Sequence, residues 1–183
     1  FLILVVVGLA ACDSVPNDPI SVAADDPSIR YTGRWNDDDP ASPWVGWHGS
    51  TGSIRFRGSE ISADLDVGDK AEHFRVIVDG VPEAPYRVLP PGRQTVSLAT
   101  ELDDESEHTV VLMKETYKSN RTTFHGFEML GNEVLALPPR PEQRIAFFGD
   151  SNMEGYSLYS DKDNGERSEE HTSELQSLTN LGC

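Results

Sequence analysis

The sequence predicts a mainly β protein, an antiparallel sandwich or barrel that gives way near residue 140 to the first strand of an α/β unit. Three observations carry this. Between Ile29 and Leu137, alternating apolar and polar runs are broken by Gly, Asp, Asn and Pro about every ten residues, the rhythm of an antiparallel sandwich or barrel. No stretch before Glu154 repeats with a helical period. After Pro138-Pro-Arg-Pro141 the alternation stops, and Ile145-Ala-Phe-Phe148 is continuously apolar, as suits a strand covered on both faces.

Residues 1–12 are the first element. Phe1-Leu-Ile-Leu-Val-Val-Val-Gly-Leu-Ala-Ala11 is uniformly apolar and far too short to span a bilayer as a helix. It reads as the hydrophobic region of a secretory signal without its Met and basic lead, so the frame is expected to start upstream of Phe1. Leu9-Ala-Ala-Cys12 resembles the lipobox of bacterial lipoproteins, where small residues admit the signal peptidase and the cysteine is lipidated. The expected location is therefore the bacterial cell envelope, periplasmic or cell-surface side, with membrane contact through a lipid on Cys12. An ordinary signal peptide with an incidental cysteine is the alternative. Residues 13–27, polar and containing Pro16 and Pro19, are expected to form a flexible tether.

Residues 28–137 are the sandwich. Its candidate strands are 28–32, 44–48, 53–57, 60–66, 73–78, 87–89, 94–100, 108–114, 122–129 and 133–135. Ile61, Ala63, Leu65 and Val67 fall on one face, as do Phe74, Val76 and Val78. Asp79-Gly80 predicts a tight hairpin, and Gly58-Ser59 and Gly131-Asn132 read as similar turns.

Residues 138–143 are a Pro-rich linker, because three prolines in four residues cannot continue a ladder and favour a stiff connector. Residues 144–166 open the α/β unit. The strand fixes the backbone, Gly149 allows a sharp bend, and the following helix would aim free N–H groups at the hydroxyl of Ser151. That arrangement makes Ser151 the candidate nucleophile. Asp150 is expected to brace the turn through hydrogen bonds to backbone N–H groups. Residues 167–183 are set apart, because Arg167-Ser-Glu-Glu-His-Thr-Ser-Glu-Leu-Gln-Ser-Leu178 resembles the translation of a short-read sequencing adapter. Natural sequence is expected to stop near Glu166, so His171 is not taken as the base for Ser151.

The balance of 31 acidic against 15 basic residues gives −16, a field that repels phosphate backbones and argues against nucleic-acid partners. Trp35, Trp44 and Trp47 could offer a sugar ring a stacking platform or fill the sandwich core. Asp37-Asp-Asp39 lacks the alternating ligand spacing of a calcium loop, and His48, His73, His108 and His125 lack metal-ligand spacing. No metal or cofactor is expected. Asp103-Asp-Glu105 with Glu107 reads as an acidic hairpin loop.

Three segments in order resemble the family 2 carbohydrate esterases. Tyr31-Thr-Gly-Arg-Trp35 followed by Trp44-Val-Gly-Trp-His-Gly-Ser50 is similar to the family's opening, where aromatics precede a Gly-Ser turn. Phe74-Arg-Val-Ile-Val-Asp-Gly80 and His108-Thr-Val-Val-Leu-Met-Lys-Glu-Thr116 resemble paired sandwich strands. Leu137-Pro-Pro-Arg-Pro141 with Arg144-Ile-Ala-Phe-Phe-Gly-Asp-Ser151 resembles the linker and nucleophile block. The resemblance implies an antiparallel jelly roll joined to an SGNH (GDSL) hydrolase domain. It implies deacetylation of plant polysaccharides such as acetylated xylan or glucomannan through an acyl-serine intermediate. It also implies an oxyanion hole that includes the backbone N–H of Ser151.

The histidine base and the other oxyanion donors of such enzymes come from later blocks, absent from this sequence. The polypeptide as written is therefore expected to be inactive. The competing reading is a surface carbohydrate-binding sandwich in which Gly149-Asp150-Ser151 is incidental. A lipase acting on acyl chains would leave the sandwich unexplained.

Overall fold

A computed structural model of the chain describes residues 18–115 and 120–143. Every regular element among them is a strand: β1 (Ile20–Ala23), β2 (Arg30–Thr32), β3 (Trp35–Asn36), β4 (Trp44–Val45), β5 (Thr51–Val67), β6 (Glu72–Val78), β7 (Val81–Pro82), β8 (Arg87–Leu89), β9 (Gly92–Ala99), β10 (Glu107–Lys114) and β11 (Thr122–Leu135). All pairings are antiparallel. The predicted mainly β jelly-roll sandwich is what the described residues form. The α/β strand expected after the linker lies outside them.

The scaffold is a long ribbon in which β5 and β11 run side by side from Val67↔Thr122 to Arg55↔Leu135. Along the other edge of β5, β10 pairs with residues 51–57 and β9 with residues 61–67. The β6 strand adds to β10, with β7 and β8 beyond it, while β1 and β4 add to β11. One connected sheet thus curls over itself and encloses a single apolar core. Ile54, Phe56, Ile61, Ala63, Leu65, Phe74, Val76, Val110, Leu112, Phe124 and Met129 are all buried in it.

Two expected breaks are corrected. Gly58-Ser59 and Gly131-Asn132 are not turns; 53–57 joins 60–66 in β5, and 122–129 joins 133–135 in β11. Gly58 faces Gly131 and Glu60 faces Leu130, so Ser59 is an inserted residue, as Asn132 is on the partner strand. A bulge of one residue reverses the parity of a strand. The inward positions of β5 accordingly pass from Ile54 and Phe56 to Ile61, Ala63, Leu65 and Val67. In a sequence, that parity change looks like the end of one strand and the start of another.

A third correction concerns the tether assigned to residues 13–27. Ile20–Ala23 is strand β1, paired with Gly126–Met129 of β11, and Val22 and Ala24 are buried. Gly126 permits this approach, since a Cβ there would collide with the carbonyl oxygen of Val22. The first candidate strand is trimmed to Arg30–Thr32, and the second stops at Val45 rather than His48. The Asp79-Gly80 hairpin forms as expected. Both residues have positive φ (52° and 80°), and Val78 faces Val81 across the turn.

Candidate functional site

Ser151, Gly149, Asp150 and the lipidation candidate Cys12 lie outside the described residues. The structure describes what leads to Ser151: the end of the sandwich and the linker. Arg55 Nη1 donates to the carbonyl of Ala136 at 3.3 Å, and the Arg30 guanidinium donates to that of Pro138. In the reverse sense, Arg140 Nη2 donates to the carbonyl of Tyr31 at 2.8 Å. Three arginines thus strap residues 136–140 to β2 and β5. Pro138, Pro139 and Pro141 supply no N–H of their own, and these three bonds all run from an arginine guanidinium to a backbone carbonyl. Sequence reasoning missed this strap, because an arginine on an outward strand position carries no mark of its partner.

The three tryptophans do not form one platform, which corrects their grouping. Trp35 faces Val45 and Asn36 faces Trp44 across the β3–β4 pair. Directly opposed residues share a face, so Trp35 points inward with buried Val45 and Trp44 points outward. Trp35 Nε1 donates to the carbonyl of Thr51 at 3.1 Å, and its ring lies 4.8 Å from Tyr31 and 6.3 Å from Phe124. The Tyr31 hydroxyl in turn donates to the carbonyl of Ala24 at 2.7 Å, and burial raises its pKa well above the ordinary phenol value. Trp44 is half-buried under the guanidinium of Arg121, 5.0 Å from its ring centre. Trp47 is 43% exposed, with the Arg34 guanidinium 4.5 Å from its ring and His48 stacked beside it. Of the three, Trp47 is the side chain presented to solvent.

A buried charged pair, also missed, stands behind this end of the sandwich. Lys114 Nζ lies 2.5 Å from Glu72 Oε2, with side-chain exposures of 0% and 1%. Burial pulls the lysine pKa down, and the carboxylate beside it partly restores it. Next to the pair, Arg75 Nε meets Glu115 Oε1 at 2.6 Å. A signal for the pair existed: Lys114 shares the inward parity of Val110 and Leu112, and Glu72 that of Phe74 and Val76. Ser50, Thr122, Trp35 and Phe124 join Lys114 around a small cavity, where the buried Thr122 hydroxyl has no hydrogen-bond partner among the described residues.

The remaining candidates are structural in placement. His108 sets both ring nitrogens against acceptors, Asp79 Oδ2 at 2.8 Å and the Asp103 carbonyl at 2.9 Å, so a ring N–H donates to each it can reach. Burial lowers its pKa, but these two acceptors outweigh it and hold the net value above that of a free histidine. The ring of His73 packs edge-on against Tyr86. The acidic loop is a turn in which Ser106 Oγ donates to Asp103 Oδ2 at 2.6 Å. Asp39 similarly caps its own loop by accepting from the backbone N–H of Ala41. Among the described residues, no group of three or more His, Cys, Asp or Glu side chains could hold a metal ion.

Comparison with known proteins places this sandwich. The family model described as "Carbohydrate esterase 2 N-terminal" matches residues 31–139, well over half of the chain. The cellulase/esterase CelE of Acetivibrio thermocellus is 34% identical over 127 residues, covering 69% of this chain and 15% of that protein. The acetylxylan esterase / glucomannan deacetylase of Cellvibrio japonicus is 28% identical over 158 residues, covering 82% and 44%. A solved family two carbohydrate esterase from Clostridium thermocellum, in complex with cellohexaose, is 34% identical with a TM-score of 0.64. That match covers 71% of this chain and 39% of the esterase. The chain thus spans less than half the length of the curated relatives it matches. Because that family model covers residues 31–139, the chain belongs to the carbohydrate esterase 2 family, of which it carries the N-terminal domain.

Proposed function

We propose that this chain is the N-terminal part of an exported, lipid-anchored serine esterase that removes acetyl groups from polysaccharides. The observation that carries the reading is one of order: a sandwich of this family runs into an arginine-strapped linker, and Gly149-Asp150-Ser151 follows within eight residues of Gln143. Ser151 Oγ would attack the acetyl carbonyl while a histidine accepts its proton. The Ser151 amide would share the oxyanion with other donors. The ester C–O bond would then break, the sugar hydroxyl leaving with the proton from that histidine, and water would release acetate from the acyl-serine. Acetylated xylan or glucomannan is the substrate class that the Cellvibrio relative's name supports. Cys12, at the end of Leu9-Ala-Ala-Cys12, would carry the lipid that holds the enzyme at the bacterial envelope.

The test is acetate release from acetylated xylan. The 183-residue chain, without a histidine base from later blocks, is expected to release none above background. A gene product extended in frame past residue 166 is expected to release acetate and to lose that activity on Ser151→Ala. Activity that survives this substitution would remove Ser151 from the chemistry. For the anchor, Cys12→Ser in the exported precursor should abolish incorporation of labelled fatty acid.

A second reading, sugar binding by the sandwich itself, is favoured by one observation, the exposed ring of Trp47. Retention of the chain in gels containing xylan or glucomannan, lost on Trp47→Ala, would support it.

A further inference from the structure

Two arginines break the charge pattern of the sandwich. Every other described arginine gives its guanidinium to a carboxylate or to a backbone carbonyl. Among the described residues, Arg34 and Arg121 do neither. Both are exposed, and each lies over an indole ring, Arg34 at 4.5 Å from that of Trp47 and Arg121 at 5.0 Å from that of Trp44. The chain holds 31 acidic residues against 15 basic, so carboxylates are not scarce. The two cations without one both sit on tryptophans.

The two rings are close, and the backbone holds them. Trp44 and Trp47 are three residues apart, which keeps their Cα atoms within about 10 Å of each other. The Gly49 N–H donates to the Lys114 carbonyl at 2.8 Å, and the Lys114 N–H to that of Ser50 at 3.0 Å, tying the loop of Trp47 to β10. The Ser50 hydroxyl accepts from the N–H of Arg34 at 3.0 Å. Gly33 lets these segments close up, since a Cβ there would lie 2.6 Å from that hydroxyl. On the other side, Trp44 pairs with Thr123, and the Arg121 carbonyl accepts from the N–H of Gly68 at 2.8 Å. A ligand at either ring orders little that the fold has not already ordered.

The chemistry of each pair defines a ligand. An indole face is electron-rich and attracts the C–H bonds that line one face of a pyranose. A guanidinium is a planar fork that matches a carboxylate. A uronic acid carries both partners in one sugar. An exposed cation–π contact is weaker than a charge-assisted fork, so the arginine exchanges the ring for the carboxylate and opens the indole to the sugar.

We propose that Trp47 with Arg34, and Trp44 with Arg121, form two subsites for the uronic-acid residues of an acidic glycan. This rests on the reading that the sandwich binds sugar, and it adds the charge of that sugar and a second ring.

Calorimetric titration of the 183-residue chain with glucuronosyl-xylotriose and with neutral xylotetraose tests it. The acidic ligand is expected to bind roughly tenfold more tightly. The Arg34→Gln/Arg121→Gln double variant should bind both ligands alike, with its affinity for the neutral one unchanged. Trp47→Ala should weaken both. Arg57→Gln removes the same charge from a guanidinium held by Glu107 and Glu133, and should keep the full preference. None of these four side chains is buried, so the variants keep the fold. Equal affinity of the parent chain for the two ligands overturns the proposal and leaves the sugar-binding reading standing. Binding of neither overturns both. A preference that survives in the double variant, or that Arg57→Gln also removes, overturns the proposal, since charge would then act in bulk.

Discussion

Gly58 and Gly131 face each other across the β5–β11 ribbon at the point where each strand carries its inserted residue. A Cβ on Gly58 would lie 2.5 Å from the Cα of Gly131, and one on Gly131 would lie 2.9 Å from the Cα of Gly58. Each would also run into a backbone carbonyl of the opposite strand, that of Leu130 or Arg57. The backbones approach this closely because neither residue has a side chain. Backbone cannot step aside as a flexible side chain can, so overpacking here takes the upper part of its usual range. Gly58→Ala and Gly131→Ala are each expected to cost about 2–3 kcal/mol, read as a fall in the denaturant midpoint with unchanged slope.

The Glu72–Lys114 pair is expected to punish one-sided removal. Lys114→Met leaves a carboxylate at 1% exposure without its cation, at a cost of about 3–5 kcal/mol. Replacing both by methionine removes both desolvation penalties and should recover more than half of that loss. Equilibrium unfolding of the two single variants and the double variant checks this. Additive losses would mean that the two charges do not act as a pair.

Trp35 and Trp47 should separate cleanly. Trp35→Ala opens a hole beside Tyr31 and Phe124 and strands the carbonyl of Thr51, for about 3–5 kcal/mol. Trp47→Ala removes a 43% exposed ring and should stay within about 1 kcal/mol. Thermal melts of both variants distinguish them.

His108 makes stability depend on pH. Its ring nitrogens face the Asp79 carboxylate and the Asp103 carbonyl, with the Phe56 ring on its flank. Both polar partners accept, so the imidazolium is the form that satisfies them. A folded pKa above the unfolded value of about 6.5 means the contribution is complete below that pH. It fades as pH rises through the folded value. The stability gap between the parent chain and His108→Gln should therefore be widest in mild acid and narrow in alkali, by urea titration across that range. A gap that widens with pH would contradict the assignment.

Much of the sandwich was legible because its signals are local. Alternation in 61–67 and 73–78 set which residues face inward, and Asp79-Gly80 announced its hairpin. What escaped was long-range. The bulges at Ser59 and Asn132 read as breaks, since only pairing with the neighbouring strand reveals continuity. The β1 strand hides in polar, proline-containing sequence and is held by its register against β11. The strap of Arg30, Arg55 and Arg140 joins residues 81 to 109 positions apart, with no local trace of the partner. The tryptophans were legible as aromatics near strand ends. The β3–β4 register separates inward Trp35 from outward Trp44, and Trp47, past the end of β4, is the one left 43% exposed.

The β5–β11 ribbon also governs how the sandwich comes apart. Both layers are built on the same two strands, so neither can melt while the other persists, and unfolding should be a single cooperative transition. The ribbon's closing contacts, such as Arg57 with Glu133, join residues 76 positions apart. A chain that must close such loops before its core forms has high contact order, and slow folding on the millisecond-to-second scale follows from that topology.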